Sequence, residues 1–233
     1  MNLFMMIQAA GRTLEADGTG VEEVEQVSIN VLELLTKGGS IMIVLAILSI
    51  ISVAIFIERF MVLRKASNEN TGFMNRIKDY IHDGKIDSAL ALCQSSNHPI
   101  ARMIEKGVSR IGRPLNDVNT AIENVGNLEI TRLERGLPII ASVSGGAPMI
   151  GFLGTVIGMI QSFFEMANAG GNVDVSMLAG GIYTALVTTV GGLIVGIIAY
   201  FAYNILVARV ERVVFKMQAR TMEFMDILNE PAR

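Results

Sequence analysis

The chain has 233 residues, 51% of them hydrophobic and 18% charged, with a formal net charge of -3 and a positive mean hydropathy. So apolar a composition in so short a chain excludes a soluble enzyme with a large core and leaves no long soluble domain for an active site. The near-neutral charge hides a strong asymmetry along the chain.

Residues 1–37 begin MNLFMMIQAAGRTLEADG, which lacks the basic lead, sustained apolar core and cleavage site of a signal peptide, so this segment is expected to be retained. Within it, VEEVEQVSINVLELL sets Val24, Val27, Val31, Leu34 and Leu35 on one helical face, with the glutamates mostly elsewhere. That face fits the outer membrane–water boundary; the other reading is a simple extension of the first span.

Three uncharged runs follow: Gly38 to Ile57, Gly136 to Phe164 and Val175 to Ala208, of 20, 29 and 34 residues. Each reaches the roughly 20 residues needed to cross a bilayer core, so three transmembrane helices are expected, at 38–60, 136–166 and 176–206. The second and third runs exceed that minimum and must tilt or project beyond the hydrocarbon.

Lys and Arg near membrane ends favour the cytoplasmic side. Residues 1–37 hold only Arg12 and Lys37, and the 167–175 loop between the second and third spans holds Asp174 and no base. Twelve of the nineteen basic residues lie from Arg59 to Arg135, and five lie from Arg209 to the C-terminus. The N-terminus and the short loop are therefore expected outside, and residues 61–135 and 207–233 inside.

The large loop reads as helices over Phe73 to Asp83, Ile86 to Gln94 and Ile100 to Ile111, separated by Asp83-Gly84, Asn97-His98-Pro99 and Gly112-Arg113-Pro114. From Leu115 no proline or strong turn cluster intervenes until Pro138, which predicts a helix running from well inside the cytoplasm into the second span. The tail from Arg209 to Leu228 spaces Val210, Val213, Val214, Met217, Met222 and Met225 helically and should continue the third span inward. The expected fold is an all-α integral membrane protein, with three transmembrane helices extended into a cytoplasmic helical bundle.

Few residues here suggest chemistry. Cys93 is the sole cysteine and reads as a small buried hydrophobe. His82 and His98 have no ligand partner at metal spacing, so no metal site is expected, and the paired glycines at 145–146, 180–181 and 191–192 lack the Lys-Ser/Thr ending of a phosphate loop. Lys106, Arg110 and Arg113 form no aromatic-interleaved basic surface, which argues against nucleic acid.

The informative residues are small and weakly polar. In the second span Ser144, Pro148, Gly151, Thr155, Gly158 and Ser162 recur at spacings of four and three, a stripe that lets helices approach closely. In the third, GGIYTALVTTVGGLIVGIIAY includes Gly181 and Gly192, and besides two tyrosines its only polar side chains are Thr184, Thr188 and Thr189. Thr188 and Thr189 are adjacent and project about 100° apart, so one can face a lumen while the other packs on a neighbour. Two such helices side by side suggest an ion path; the alternative for the whole stripe is a packing seam alone.

Three stretches carry a family resemblance: GGSIMIVLAILSIISVAIFIERFMVLRKA from Gly38, GKIDSALALCQSSNHPIARMIEKG from Gly84, and the segment from LERGLP at Leu133 through VTTVGGLIVG at Gly196. Together they resemble the MotA/TolQ/ExbB family, and most closely ExbB and TolQ, over most of residues 31–215. The resemblance implies an inner-membrane motor: a homo-pentamer around a central lumen that holds two copies of a small ExbD- or TolR-like partner, where ion flow drives work on a periplasmic client, TonB in nutrient uptake, with a TolQ-type or gliding motor as the alternatives. It implies that Thr155, in a GTV motif, and Thr189 line the pore, and that Glu58 and Arg59 form an inner-boundary charge pair.

One departure stands out. ExbB and TolQ members commonly carry a Glu in a GIxEALxxT pattern, whereas this chain reads GIYTALVTT and has Thr184 there. No ionisable residue then lies in the middle of any span, so the titrating carboxylate must come from the partner's Asp, as the resemblance implies. No cofactor is expected beyond the transported ion. Protons follow the family pattern; four threonine hydroxyls, and a Thr-Thr pair similar to that of sodium-driven flagellar stators, leave sodium open. Against a motor stand two other classes: a passive channel, which should leak when expressed alone, and a structural scaffold that tolerates loss of the threonine hydroxyls.

Overall fold

The computed structural model describes residues 39–67, 72–168 and 175–229, all of it helix and short turns. The expected amphipathic face at Val24 to Leu35 lies outside the described residues. The helices are α1 (Gly39–Ser67), α2 (Phe73–His82), α3 (Ile86–Ser95), α4 (Pro99–Val108), α5 (Leu115–Glu134), α6 (Leu137–Asn168) and α7 (Val175–Asn229). Among the described residues, three helical stretches are long and apolar enough to cross a membrane, centred on α1, α6 and α7, and the chain is a multi-pass membrane protein.

The 55 residues of α7 form one unbroken helix, about 80 Å long at 1.5 Å per residue. A bilayer core is ~30 Å thick, so much of α7 projects beyond it. There its Val213, Met217, Phe224 and Ile227 are buried where α7 packs against α2, α4 and α5. The shorter helices present matching stripes. In α4, Ile100, Met103, Ile104, Gly107 and Val108 are buried, and a side chain at Gly107 would collide with Phe224 and Ile122.

The second membrane helix does not begin as the sequence suggests. Rather than one helix from Leu115 through the span, the chain breaks between α5 and α6: Arg135 (φ -55°, ψ 129°) and Gly136 (φ 87°) occupy the central positions of a type II turn. Gly136 is what makes the break possible, since a positive φ strains any residue with a Cβ. Pro138 then falls in the first turn of α6, where its missing N–H leaves no bond unmade. Both sides are anchored, by Leu133 before the break and Leu137 after it.

Basic side chains close the helix ends that face this region. The Arg59 guanidinium, from α1, donates through Nη1 to the carbonyl of Arg132 (3.4 Å) in the last turn of α5. Lys216 of α7 donates through Nζ to the carbonyl of Ser67 (2.9 Å), the last residue of α1. Each satisfies an orphan carbonyl where the helix dipole is negative.

Candidate functional site

α6 and α7 form the most extensive helix pair, running antiparallel, and their seam is built by small residues meeting small residues. Gly151 lies against Gly192, Gly158 against Ala185, Gly181 against Ser162, and Gly196 against the Pro148 ring. A Cβ on Gly192 would stand 2.6 Å from the Ala147 carbonyl oxygen and 2.8 Å from the Gly151 Cα. The stripe read from the sequence at Ser144, Pro148, Gly151, Gly158 and Ser162 therefore faces α7; Ser144 meets Gly196 through its carbonyl, while its hydroxyl donates to the Ala141 carbonyl (2.8 Å).

This closeness brings Thr188 and Thr189 to the Gly151 carbonyl, with Thr155 beside Thr189. Thr188 is 2% exposed; its hydroxyl donates to the Ala185 carbonyl (2.7 Å) and leans toward that of Gly151 (3.3 Å). Thr189 is half-buried and donates to the same Gly151 carbonyl (3.2 Å), with Thr155 Oγ1 at 3.4 Å. Thr155, also half-buried, donates to the Phe152 carbonyl of its own helix. Although adjacent residues project about 100° apart, both threonines of α7 reach across to α6 because Gly151 and Gly154 present no side chain there. Thr184 is half-buried, and no hydrogen bond joins it to the other three among the described residues.

The donors of this cluster are committed, and the acceptors are not. Each hydroxyl proton is directed at a carbonyl, which leaves lone pairs on Thr155 Oγ1 and Thr189 Oγ1. Such oxygens can coordinate a cation or accept a proton bond but cannot titrate. No Asp, Glu, His, Lys or Arg lies within 39–57, 137–164 or 175–208 to do so in their place. Among the described residues no group of three His, Cys, Asp or Glu could hold a metal.

The Glu58 and Arg59 pair sits where α1 leaves its apolar run. Arg59 Nη2 binds Glu58 Oε1 within the same chain, and the Arg59 side chain is largely buried against the Gly136 turn. The pair thus braces the α5–α6 break.

Two features escaped sequence reasoning. Glu129, 2% exposed, bridges Arg102 of α4 (2.5 Å) and Arg132 of α5 (2.6 Å). Its signal was the buried stripe Val118, Ile122, Gly126, Glu129 and Leu133, which places a carboxylate on the packed face. Gly154 and Gly196 also belong to the seam, as the spacing of its other members would have shown.

The fold and seam define a polytopic helical membrane protein with a hydroxyl cluster between two spans. Residues 95–219 match the sequence model of the MotA/TolQ/ExbB proton channel family, and the chain belongs to that family. It is 30% identical over 189 residues to a putative biopolymer transport protein, an ExbB homolog, of Methanothermobacter thermautotrophicus, covering 81% of this chain and 67% of that protein. It is 30% identical over 229 residues to the Tol-Pal system protein TolQ of Haemophilus influenzae, covering 88% of this chain and 96% of TolQ. Over 87 residues it is 36% identical to the biopolymer transport protein ExbB of Xanthomonas campestris, covering 37% and 34% of the two chains.

Proposed function

We propose that this chain is the ion-conducting shell subunit of an inner-membrane motor of the ExbB–ExbD type and not an enzyme. Five copies surround a lumen faced by α6 and α7; two copies of a small ExbD- or TolR-like protein occupy it and supply a membrane-embedded Asp. The observation that carries this reading is the hydroxyl cluster of Thr188 and Thr189 at the Gly151 carbonyl with Thr155 beside Thr189, in spans that hold no ionisable residue. A buried carboxylate beside hydroxyl acceptors can be neutralised by a passing ion, and the spans make sense as one half of such a site.

The asymmetric placement of Lys and Arg supports a cytoplasmic location for α2 to α5 and for the far half of α7, which then form the cytoplasmic bundle, with the N-terminus periplasmic. The ion is H+, by the description of the family; the hydroxyl-only lining supports Na+ as the second reading. The client is a TonB-like protein, with a Tol-type system as the alternative supported by the likeness to TolQ. No nucleic acid, metal or organic cofactor enters this scheme.

The test is the assembled complex carrying Thr155→Val and Thr189→Val. Native mass spectrometry in mild detergent should show five copies with two partners, as for the unaltered protein, while ion-driven client activity is lost. Retained activity with both hydroxyls gone would return the threonines to packing and favour a scaffold. An assembly that conducts ions without the partner would favour a passive channel.

A further inference from the structure

The geometry points to a binding site for one anionic phospholipid on the outward face of α1 and α7, an inference independent of the motor reading. The two helices run parallel there and leave a groove of about 310 Å³, lined by Val53 and Phe56 of α1 and by Ile198, Phe201 and Ile205 of α7, with buried Ser52 beside them. Val53, Ile198, Phe201 and Ile205 are all more than two-fifths exposed, so the groove opens away from the protein. It lies wholly within the uncharged runs and therefore at hydrocarbon depth.

What singles it out is the charge at one end. Phe56 stacks on Phe60 with ring centroids 5.7 Å apart, and the Arg209 guanidinium lies 3.9 Å over the Phe60 ring. A continuous surface thus runs from the apolar groove to a cation. Arg64 follows Phe60 by four residues and Arg212 follows Arg209 by three, on the same helical stripes. Among the described residues neither makes an ion pair. Among the described residues, the acids nearest in sequence are turned elsewhere: Glu58 binds Arg59, and Glu211 lines a cleft with Glu134, Pro138 and Tyr203 toward α6. An acyl chain in the groove and a phosphate at Arg209, Arg64 and Arg212 match this pattern of apolar wall and basic mouth.

Because the chain has no tryptophan, a single Phe201→Trp reporter reads the groove directly. The protein is reconstituted in phosphatidylcholine vesicles containing brominated phosphatidylglycerol or brominated phosphatidylcholine, and quenching gives the relative affinity. The expected result is a preference for phosphatidylglycerol of about fivefold or more, since each basic residue near a membrane surface contributes about that factor. The preference should fall to near unity in Arg64→Gln/Arg209→Gln/Arg212→Gln and persist in Arg209→Lys. A Phe163→Trp reporter, on α6, should show none. Equal quenching by the two lipids at Phe201, equal preference at both reporters, or a preference untouched by the arginine changes would overturn the proposal. So would a reporter quenched by neither lipid, which would mean that a second copy of the chain covers the groove.

Discussion

Replacing Gly192 by Ala tests whether the α6–α7 seam is as tight as the structure states. The new methyl group would lie 2.6 Å from the Ala147 carbonyl oxygen and 2.8 Å from the Gly151 Cα, both backbone atoms that no rotamer change can move. Ordinary contact begins near 3.4 Å, so the helices must part by about 0.8 Å at this level. That shift would lengthen the bonds from Thr188 and Thr189 to the Gly151 carbonyl, now 3.3 and 3.2 Å, beyond useful length. Overpacking costs about 1–3 kcal/mol, and two cross-helix bonds at ~0.6 kcal/mol each add to it, for a total of about 2–4 kcal/mol. Gly191→Ala is the matched control, because its methyl crowds the flexible end of Met42 and otherwise makes ordinary contact with Leu45, and Gly180→Ala meets nothing. Unfolding with rising SDS in mild detergent should rank Gly192→Ala well below both controls. If all three unfold together, the close approach of α6 and α7 is wrong.

Three further outcomes follow from the structure. Glu129→Leu leaves Arg102 and Arg132 without their shared partner; because both guanidinium groups keep access to water, the loss should be about 1–3 kcal/mol in the same assay, whereas Glu134→Leu, at an exposed position, should be near neutral. Gly136→Ala forces a Cβ into φ 87° and within 3.1 Å of Ile55 Cγ2, costing about 1–2 kcal/mol or more; hydrogen exchange should show the loosening at the last turn of α5. Burial, and secondarily Glu105, pushes the Cys93 thiol from 9.0 up to about 12. The folded state then holds its thiol proton longer than the unfolded one: stability is undiminished below pH 9 and falls between pH 9 and 12, an effect that Cys93→Ala should remove from a pH series of unfolding curves.

Hydropathy alone revealed the spans, because twenty or more uncharged residues have one economical fate in a chain this size. The small-residue stripe of α6 was readable for the same reason that it packs: Gly151, Gly158 and Ser162 repeat at helical spacing. Its partner residues on α7 were harder to see, since which face of an all-apolar helix is covered depends on a neighbour that periodicity does not name. Gly136 was hidden by its surroundings. A lone glycine between Arg135 and Leu137 reads as tolerated within a helix, and only the positive φ distinguishes a break. Glu129 illustrates the opposite difficulty, for a carboxylate is read as solvated until the two guanidinium groups that hold it are placed in space.

The length of α7 gives the molecule a lever arm. Thr188, at the hydroxyl cluster, and Phe224, buried against Gly107, belong to the same uninterrupted helix and are separated by about 54 Å of rise. A helix bends far less readily than it tilts, so a reorientation of only ~5° around the Gly151–Gly192 contact would sweep the Phe224 end through roughly 5 Å, more than a side chain can absorb by changing rotamer. α1 and α6 cannot behave alike: α1 ends at Ser67, and α6 is uncoupled from α5 by the Gly136 turn. Any movement at the threonine cluster would therefore reach the far end of the protein through a single rigid shaft.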